Sequence, residues 1–151
     1  MIHSSRTTAV IFALFLIAVL TSCSSGNNNS SGGLGVYPKA VGAADEASAI
    51  QTLRTIATAQ AQLKATRGVY GSFEALTQAG FLDQRFAGDT PNLRGYRFTI
   101  DATDSSFAVT ADPQTTERQP TTGSRHFYLD SSENAVHVNP TGPASKNDPL
   151  L

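Results

Sequence analysis

Cysteine is almost absent from this sequence, since its 151 residues include a single one, at position 23. One thiol cannot form an intramolecular disulfide, and it cannot supply the paired cysteines of redox and zinc motifs. An excess of basic charge is absent too, because 11 Lys and Arg stand against 12 Asp and Glu without a visible basic cluster. Nucleic acids and anionic membrane surfaces favour proteins with such a cluster, so we expect no nucleic-acid partner.

Catalytic motifs are missing as well. Two His follow position 23, and the chain has no G-x-S-x-G, H-E-x-x-H, C-x-x-C or phosphate-loop pattern. Nucleophilic, zinc and nucleotide chemistry each depend on one of those residue sets. We therefore expect a protein that is not an enzyme and that has no cofactor; a hydrolase with an unrecognised site is the weakest alternative.

The sequence also has no long apolar run. Its one shorter run lies near the N-terminus. Residues 9–20 are uninterrupted apolar residues that follow a short segment containing Arg6. They fall well short of the roughly 20 residues that span a bilayer as a helix, and this order of segments is typical of an export signal. The run ends in LTSC at positions 20–23, which resembles the bacterial lipobox.

The lipobox resemblance implies that residues 1–22 are a lipoprotein signal peptide and that Cys23 is acylated as the first residue of the mature chain. Several acyl chains, each contributing about 0.8 kcal/mol per buried CH₂, would give stable membrane anchoring. Ser24 follows instead of Asp, which by the sorting rule of Gram-negative lipoproteins implies the outer membrane rather than the inner one. The alternative is an ordinary cleavable signal followed by an unrelated cysteine.

Two further segments have little to bury. Residues 24–35 are Ser, Asn and Gly with few exceptions, so residues 23–43 are expected to be the lipidated cysteine and a flexible tether with a reach of roughly 20 Å. Three prolines in 140–151 predict a loose C-terminal tail over 141–151. The folded domain is therefore expected over residues 44–140.

The segment 46–70 is the only one long and periodic enough to form the spine of a fold. At 100° per residue its large apolar side chains fall on one face, within an arc of about 140°. Asp45 is the expected N-cap, with Glu46 complementing the helix dipole, and Gly68 is expected to end the helix. The apolar stripe consists of Ile50, Leu53, Ile56 and Leu63.

Gln60 is polar but falls in the middle of this stripe. A buried side-chain amide must find hydrogen-bond partners, so we expect Gln60 to bridge backbone groups of the sheet or of the next loop. A role in binding is the alternative.

Shorter periodic segments follow the long helix. Ser72 to Ala79 predicts a two-turn helix with Ser72 as its N-cap and Gly80 just after its end. Alternation of apolar and polar residues then predicts four strands. The fold class is therefore α+β, with one long N-terminal helix on a four-stranded antiparallel sheet and a short helix in the connecting loop. The four strands are expected at 95–101, 106–111, 126–130 and 135–139.

These segments, in this order, resemble the globular part of type IV pilin-like proteins, a group that includes the pseudopilins of type II secretion. Residues 46–60 look like the second half of the long pilin helix, and residues 70–83 look like the helix in the loop after it. Residues 95–98 are similar to the first strand of that family and 123–130 to its closing hairpin. The resemblance covers about residues 44–140, and it implies partners among pilus or secretion proteins.

The chain also departs from the pilin pattern. Pilins are cut after a Gly and begin with a hydrophobic helix that carries Glu at its fifth position. Here the apolar run contains no Glu and follows no such Gly, and a Gly/Asn tether interrupts the helix. We therefore expect that the protein is not a regular filament subunit.

The closest approach to a chemical site is a group of four side chains near the end of the domain. A four-residue turn would place His126, Tyr128, Asp130 and His137 on one face of a hairpin. We expect them to form an ordinary solvated sheet face, and the alternative is a transition-metal site formed by His126, His137 and Asp130.

The function expected from these observations is a structural or protein-interaction role. The protein would be lipid-anchored in the bacterial cell envelope, facing the periplasm or the cell surface. The alternative is a lipoprotein that binds a small molecule or a surface glycan through the 112–124 loop or the His-bearing face. A concave apolar cavity beside that loop would favour the alternative, whereas a flat, filled sheet would favour protein contacts.

Overall fold

The computed structural model describes residues 39–114 and 123–151, with side chains from Val41 onward. A long helix, α1, is followed by a short helix, α2, a 3₁₀ turn and five strands. The strands pair in chain order and every pair is antiparallel, so the sheet is a simple meander. The α+β class is confirmed, with five strands where the sequence predicts four. The elements are α1 (Lys39–Arg67), α2 (Phe73–Gln78), the 3₁₀ turn (Gln84–Phe86), β1 (Asn92–Leu93), β2 (Tyr96–Ala102), β3 (Phe107–Pro113), β4 (His126–Asp130) and β5 (His137–Asn139).

The apolar stripe of α1 packs on the middle of the sheet, against β3 and β4. All four stripe residues are buried, and Leu53 and Ile56 have no exposed surface. Burial of each such side chain stabilises the fold by about 1.5–3 kcal/mol. The helix periodicity is thus confirmed by the structure. The inward residues of the two strands include Val109, Ala111, Phe127 and Leu129.

The N-terminal end of α1 differs from the prediction. The helix begins at Lys39, so Asp45 is not its N-cap but lies inside it. Residues 40–49 contain five alanines, the residue with the best helix propensity, which favours helix here in spite of Gly42. Asp45 and Glu46 are both buried, so tertiary contacts also hold this turn.

Local signals set the helix ends that follow. Gly68 has a φ of +76° and ends α1, as predicted. Ser72 is the N-cap of α2, and its hydroxyl accepts a hydrogen bond from the amide of Ala75. Gly80 has a φ of +75° just after α2, and this conformation carries no steric cost for glycine.

The additional strand β1 forms a tight hairpin with β2. Leu93 pairs with Tyr96, and the two residues between them, Arg94 and Gly95, have φ values of +48° and +75°. Two positive φ angles define the type I′ turn, whose usual sequence signals are Asn-Gly and Asp-Gly. Arg-Gly is not among those signals, which explains why the sequence gives no hairpin prediction at this position.

The C-terminal residues are not a loose tail. Residues 145–151 fold back along β5: the amide of Val138 donates to the carbonyl of Pro149, and the amide of Leu151 donates to the carbonyl of Val136. The Asp148 carboxylate accepts from the amide and hydroxyl of Ser145 and from the side-chain amide of Asn139. The prolines permit this arrangement because an edge segment needs only alternate backbone groups for pairing.

Candidate functional site

Gln60 is fully buried between α1 and the loop that follows it. Its side-chain nitrogen donates to the carbonyl of Gly71 at 2.6 Å, and its side-chain oxygen accepts from the amide of Gly71 at 3.0 Å. The two groups that Gln60 bridges belong to one residue of the loop before α2. A pair of hydrogen bonds to one residue fixes that loop against the helix, and it engages both polar atoms of the Gln60 side chain.

Glu46 forms a second buried polar contact on the same face of α1. One carboxylate oxygen, Oε1, accepts from the backbone amides of Ser124 and Arg125 at 3.0 and 3.3 Å. The other, Oε2, accepts from Nε of Arg125 at 2.7 Å, and Nη2 of the same side chain is also 2.7 Å away. This ion pair, in which these two guanidinium nitrogens approach one carboxylate oxygen, joins the N-terminal half of α1 to the start of β4.

The pKa of Glu46 lies below its ordinary value of 4.5. Burial alone would raise this pKa, but the hydrogen bonds from the Arg125 side chain and from the amides of Ser124 and Arg125 outweigh it. Glu46 therefore remains ionised at neutral pH, as a structural carboxylate rather than a general acid.

Gly123 and Tyr96 complete the surroundings of Glu46. The Tyr96 hydroxyl donates to the carbonyl of Arg125 at 3.0 Å, and burial together with the negative charge of Glu46 raises the pKa of Tyr96. A β-carbon on Gly123 would overlap that hydroxyl and lie 2.7 Å from Cγ of Glu46. Only glycine fits at position 123, because the chain passes too close to both side chains.

Sequence reasoning missed this contact, although a signal was present. Glu46, Leu53 and Gln60 follow one another at heptad spacing, so all three fall on the buried face. Glu46 was expected to complement the helix dipole from the first turn, which depended on a helix that begins at Asp45. The partner of Glu46 is 78 or more residues away along the chain, and no local pattern identifies it.

The His-bearing face separates into three small contacts. His126 pairs with Asp112 on β3, with Nδ1 and Oδ1 2.6 Å apart. His137 is 5% exposed, and its Nδ1 lies 2.7 Å from the carbonyl of Asp148. Asp130 accepts from the Ser132 amide and hydroxyl through Oδ1. Within residues 39–114 and 123–151, no three His, Cys, Asp or Glu side chains are placed to hold one metal ion.

The hairpin register is the one that the turn length predicts. Tyr128 lies opposite His137, with ring centroids 6.0 Å apart at 67°, and Phe127 lies opposite Val138. The Tyr128 hydroxyl donates to Asp130 at 3.0 Å, and burial, this hydrogen bond and the nearby carboxylates raise the pKa of Tyr128 to about 12. Tyr128 is therefore a neutral hydrogen-bonding group and not a nucleophile.

An open groove of about 500 Å³ lies on the outer face of the sheet, at the end where β2 turns into β3. The register places Ala108 of β3 between Asp101 of β2 and Asp130 of β4. Tyr128 and the segment Ser145–Asn147 also line the groove. The groove is thus built by three separate parts of the chain, and its lining is mostly polar side chains.

The predicted acylation site, Cys23, and residues 24–38 of the predicted tether lie outside the described residues, as do residues 115–122 of the long loop. Residues 39–43, which were expected to be the end of the tether, are instead the first residues of α1. None of the described helices has both the length and the apolar character needed to span a membrane.

The comparisons with known proteins give no relative. No protein-family model, no curated protein and no solved structure matches the chain. The likeness to pilin-like domains therefore rests on topology, namely one long helix packed on an antiparallel meander of five strands.

Proposed function

We propose that this protein is a non-enzymatic, lipid-anchored component of the bacterial cell envelope, whose pilin-like domain makes protein contacts. Its partners are components of a type IV pilus or a type II secretion system. The proposal is supported by the pilin-like topology of the described domain, together with an N-terminal sequence that resembles an export signal and ends in LTSC at positions 20–23.

The buried polar contacts support a structural role. Glu46 and Gln60 each use their polar atoms to hold loops against α1. Groups of this kind stabilise one geometry of a fold, and catalysis instead requires a group that stays available to a substrate. A fixed helix-plus-sheet module that presents its outer surfaces to other proteins agrees with this arrangement.

Anchoring is tested by metabolic labelling of the full-length chain with radioactive palmitate in a bacterial host. We expect label on the wild type and none on a Cys23→Ala variant, because the thiol of Cys23 is the proposed acceptor. An unlabelled wild-type protein would remove the lipoprotein part of the proposal.

The partner is tested by affinity capture of the lipidated protein from envelope extract after cross-linking in intact cells. We expect pilus or secretion components in substoichiometric amounts, since the interrupted helix does not suit a regular subunit. Recovery of the protein in sheared, purified pili at stoichiometric amounts would show instead that it is a filament subunit.

The second candidate function is binding of a small molecule or a surface glycan. The groove on the outer sheet face is the observation that favours it, but that groove lies at the opposite end of the sheet from the 112–124 loop. Most of the residues that line it are polar, and they leave apolar surface exposed between them, which suits a ligand of mixed character such as a glycan.

A further inference from the structure

The groove beside Ala108 has a shape that a bare sheet face does not provide. Neighbouring strands lie about 4.8 Å apart, so Asp101 and Asp130 stand roughly 10 Å from each other across the small side chain of Ala108. The folded-back segment Ser145–Asn147 also lines the groove. The small side chain of Ala108 leaves space between the two carboxylates and this segment, so the groove is a shallow, open depression in the sheet face.

The lining combines hydrogen-bond donors and acceptors with both signs of charge. Asp101 and Asp130 supply carboxylates, Lys146 supplies an ammonium group and Asn147 supplies an amide. Hydroxyl groups from Tyr128 and from several Ser and Thr side chains also line the groove. A ligand that matches this lining must both donate and accept hydrogen bonds.

We propose that this groove binds a neutral saccharide, with the Asp101 carboxylate accepting hydrogen bonds from sugar hydroxyl groups and Lys146 and Asn147 donating to sugar oxygens. Saccharide binding goes beyond the protein contacts proposed above, gives the second candidate function one ligand class and named contacts, and does not depend on lipidation. The two carboxylates disfavour an anionic ligand, because only the ammonium group of Lys146 stands against them, and a wholly apolar ligand would leave the polar side chains of the lining without partners.

The carboxylates of Asp101 and Asp130 differ in the hydrogen bonds that they accept within the protein. Asp130 is held in place by hydrogen bonds from Ser132 and Tyr128, and these outweigh burial in keeping its pKa below the ordinary value. Asp101 is exposed, and its carboxylate accepts no hydrogen bond from any of the described residues. Asp101 is therefore the carboxylate that is available to a ligand, and Asp130 orients the Tyr128 hydroxyl beside it.

The experiment is an NMR titration of the full-length, ¹⁵N-labelled protein in micelles of a detergent without a sugar headgroup. The probes are maltotriose, cellotriose and triacetylchitotriose, with trigalacturonate and trilysine as the anionic and cationic comparisons. We expect saturable shifts of the backbone amides of Ala108, Ser132 and Asn147 with at least one neutral trisaccharide, and no shift at Gln60.

Three variants test whether the saccharide binds in this groove. Asp101→Asn should weaken it about tenfold, because the neutral amide oxygen of asparagine accepts a weaker hydrogen bond than a carboxylate does. Ala108→Ile should abolish it by filling the floor, and a β-branched residue suits a strand. Asp89→Asn, which removes an exposed carboxylate outside the groove, should leave the affinity unchanged.

Three results would overturn the proposal. The first is the absence of saturable shifts with all three neutral trisaccharides up to about 10 mM, beyond the millimolar end of specific affinity. The second is unchanged affinity in Asp101→Asn, an exposed substitution that does not threaten folding. The third is tighter binding of trilysine than of any trisaccharide at the same amides, which would make the groove a site for basic peptides.

Discussion

Two polar side chains lie on the buried face of α1, and their hydrogen-bonding groups are paired in different ways. In the C-terminal half of the helix, a neutral amide, Gln60, makes two hydrogen bonds to the backbone of Gly71 and is 0% exposed. Two heptads earlier, a carboxylate, Glu46, lies beside Gly123 and bonds two backbone amides and the guanidinium group of Arg125. In both contacts a glycine lets the chain come close to the helix.

The difference between them follows from the free energy of desolvation. A neutral amide can be buried completely once its donor and acceptor are both paired. A carboxylate loses far more hydration, so it needs an opposite charge and several donors, and contact with water still helps. The Arg125 side chain accordingly stays 40% exposed while it pairs with Glu46. The two contacts should therefore differ in steric tolerance and in pH dependence.

The largest effect is expected at Gly123. Gly123→Ala would force a β-carbon against Tyr96 and Glu46, so we expect the free energy of unfolding to fall by about 3 kcal/mol, measured by urea denaturation of the full-length chain. Gly142→Ala is the control, because no atom lies within 4 Å of its added β-carbon. Equal, small effects of the two substitutions would show that the chain at 123 is not closely packed.

The next effect concerns the neutral amide. Gln60→Leu keeps the volume but leaves the amide and carbonyl of Gly71 without their partner, so a loss of about 2 kcal/mol is expected in the same assay. The loss should not vary between pH 3 and pH 7, because no charge is involved. Gln62→Leu, an exposed change on the same helix, should stay within about 0.5 kcal/mol of the wild type. A stabilised Gln60→Leu variant would contradict the bridging role.

Glu46→Gln should cost about 1.5 kcal/mol at neutral pH, a moderate figure because the exposed Arg125 side chain can return to water. The pKa of Glu46 is lower in the folded chain than its ordinary value of 4.5. Its stabilisation is therefore complete above pH 4.5 and is lost as the pH falls through the folded pKa. The wild type and Glu46→Gln should converge in stability at low pH.

The pH dependence is obtained from the difference in the free energy of unfolding between the wild type and Glu46→Gln at each pH, because other carboxylates also titrate. The pKa values of Asp130 and Asp148 are lowered by the hydrogen bonds that these carboxylates accept. Both carboxylates are present in the wild type and in Glu46→Gln, so their contribution cancels in the difference. Glu74→Gln, at an exposed site, supplies the control for a change of net charge. A difference that stays constant down to pH 2 would mean that the charge of Glu46 does not contribute.

The smallest effect is expected for Gly71→Ala, at about 1 kcal/mol. Its β-carbon would lie 2.9 Å from both Ala75 Cβ and Leu63 Cδ2, and the end of the Leu63 side chain can move. Alanine also restricts the unfolded chain, which offsets part of the strain. A Gly71→Ala variant that is less stable than Gly123→Ala would reverse the order of the two contacts.

Much of the fold could be predicted because its signals are local. The apolar stripe of α1, the Ser72 cap and the glycines at 68 and 80 each depend on residues within a few positions of one another. The alternation along β2, β3 and β4 likewise predicts those strands to within two residues at each end. The Arg94–Gly95 hairpin was missed because arginine rarely takes a positive φ, so the residue pair carries no turn signal.

The parts that could not be predicted depend on distant partners. The start of α1 was placed at the first good capping residue, Asp45, whereas burial of Glu46 against Ser124 and Arg125 makes that turn part of the helix. The return of residues 145–151 to β5 required an open sheet edge, which proline content alone does not reveal. The outer groove needs that returning segment as part of its lining, so it too was beyond sequence reasoning.

The sequence by itself determined the fold class, the buried face of α1 and the register of the closing hairpin, because periodicity and turn length act through neighbouring residues. Only the tertiary structure decided which polar residues are buried and what each of them bonds. A charge or an amide enters the core only where the fold brings it a partner. For Glu46 that partner lies 78 residues away, and for Gln60 it is a single residue in the next loop.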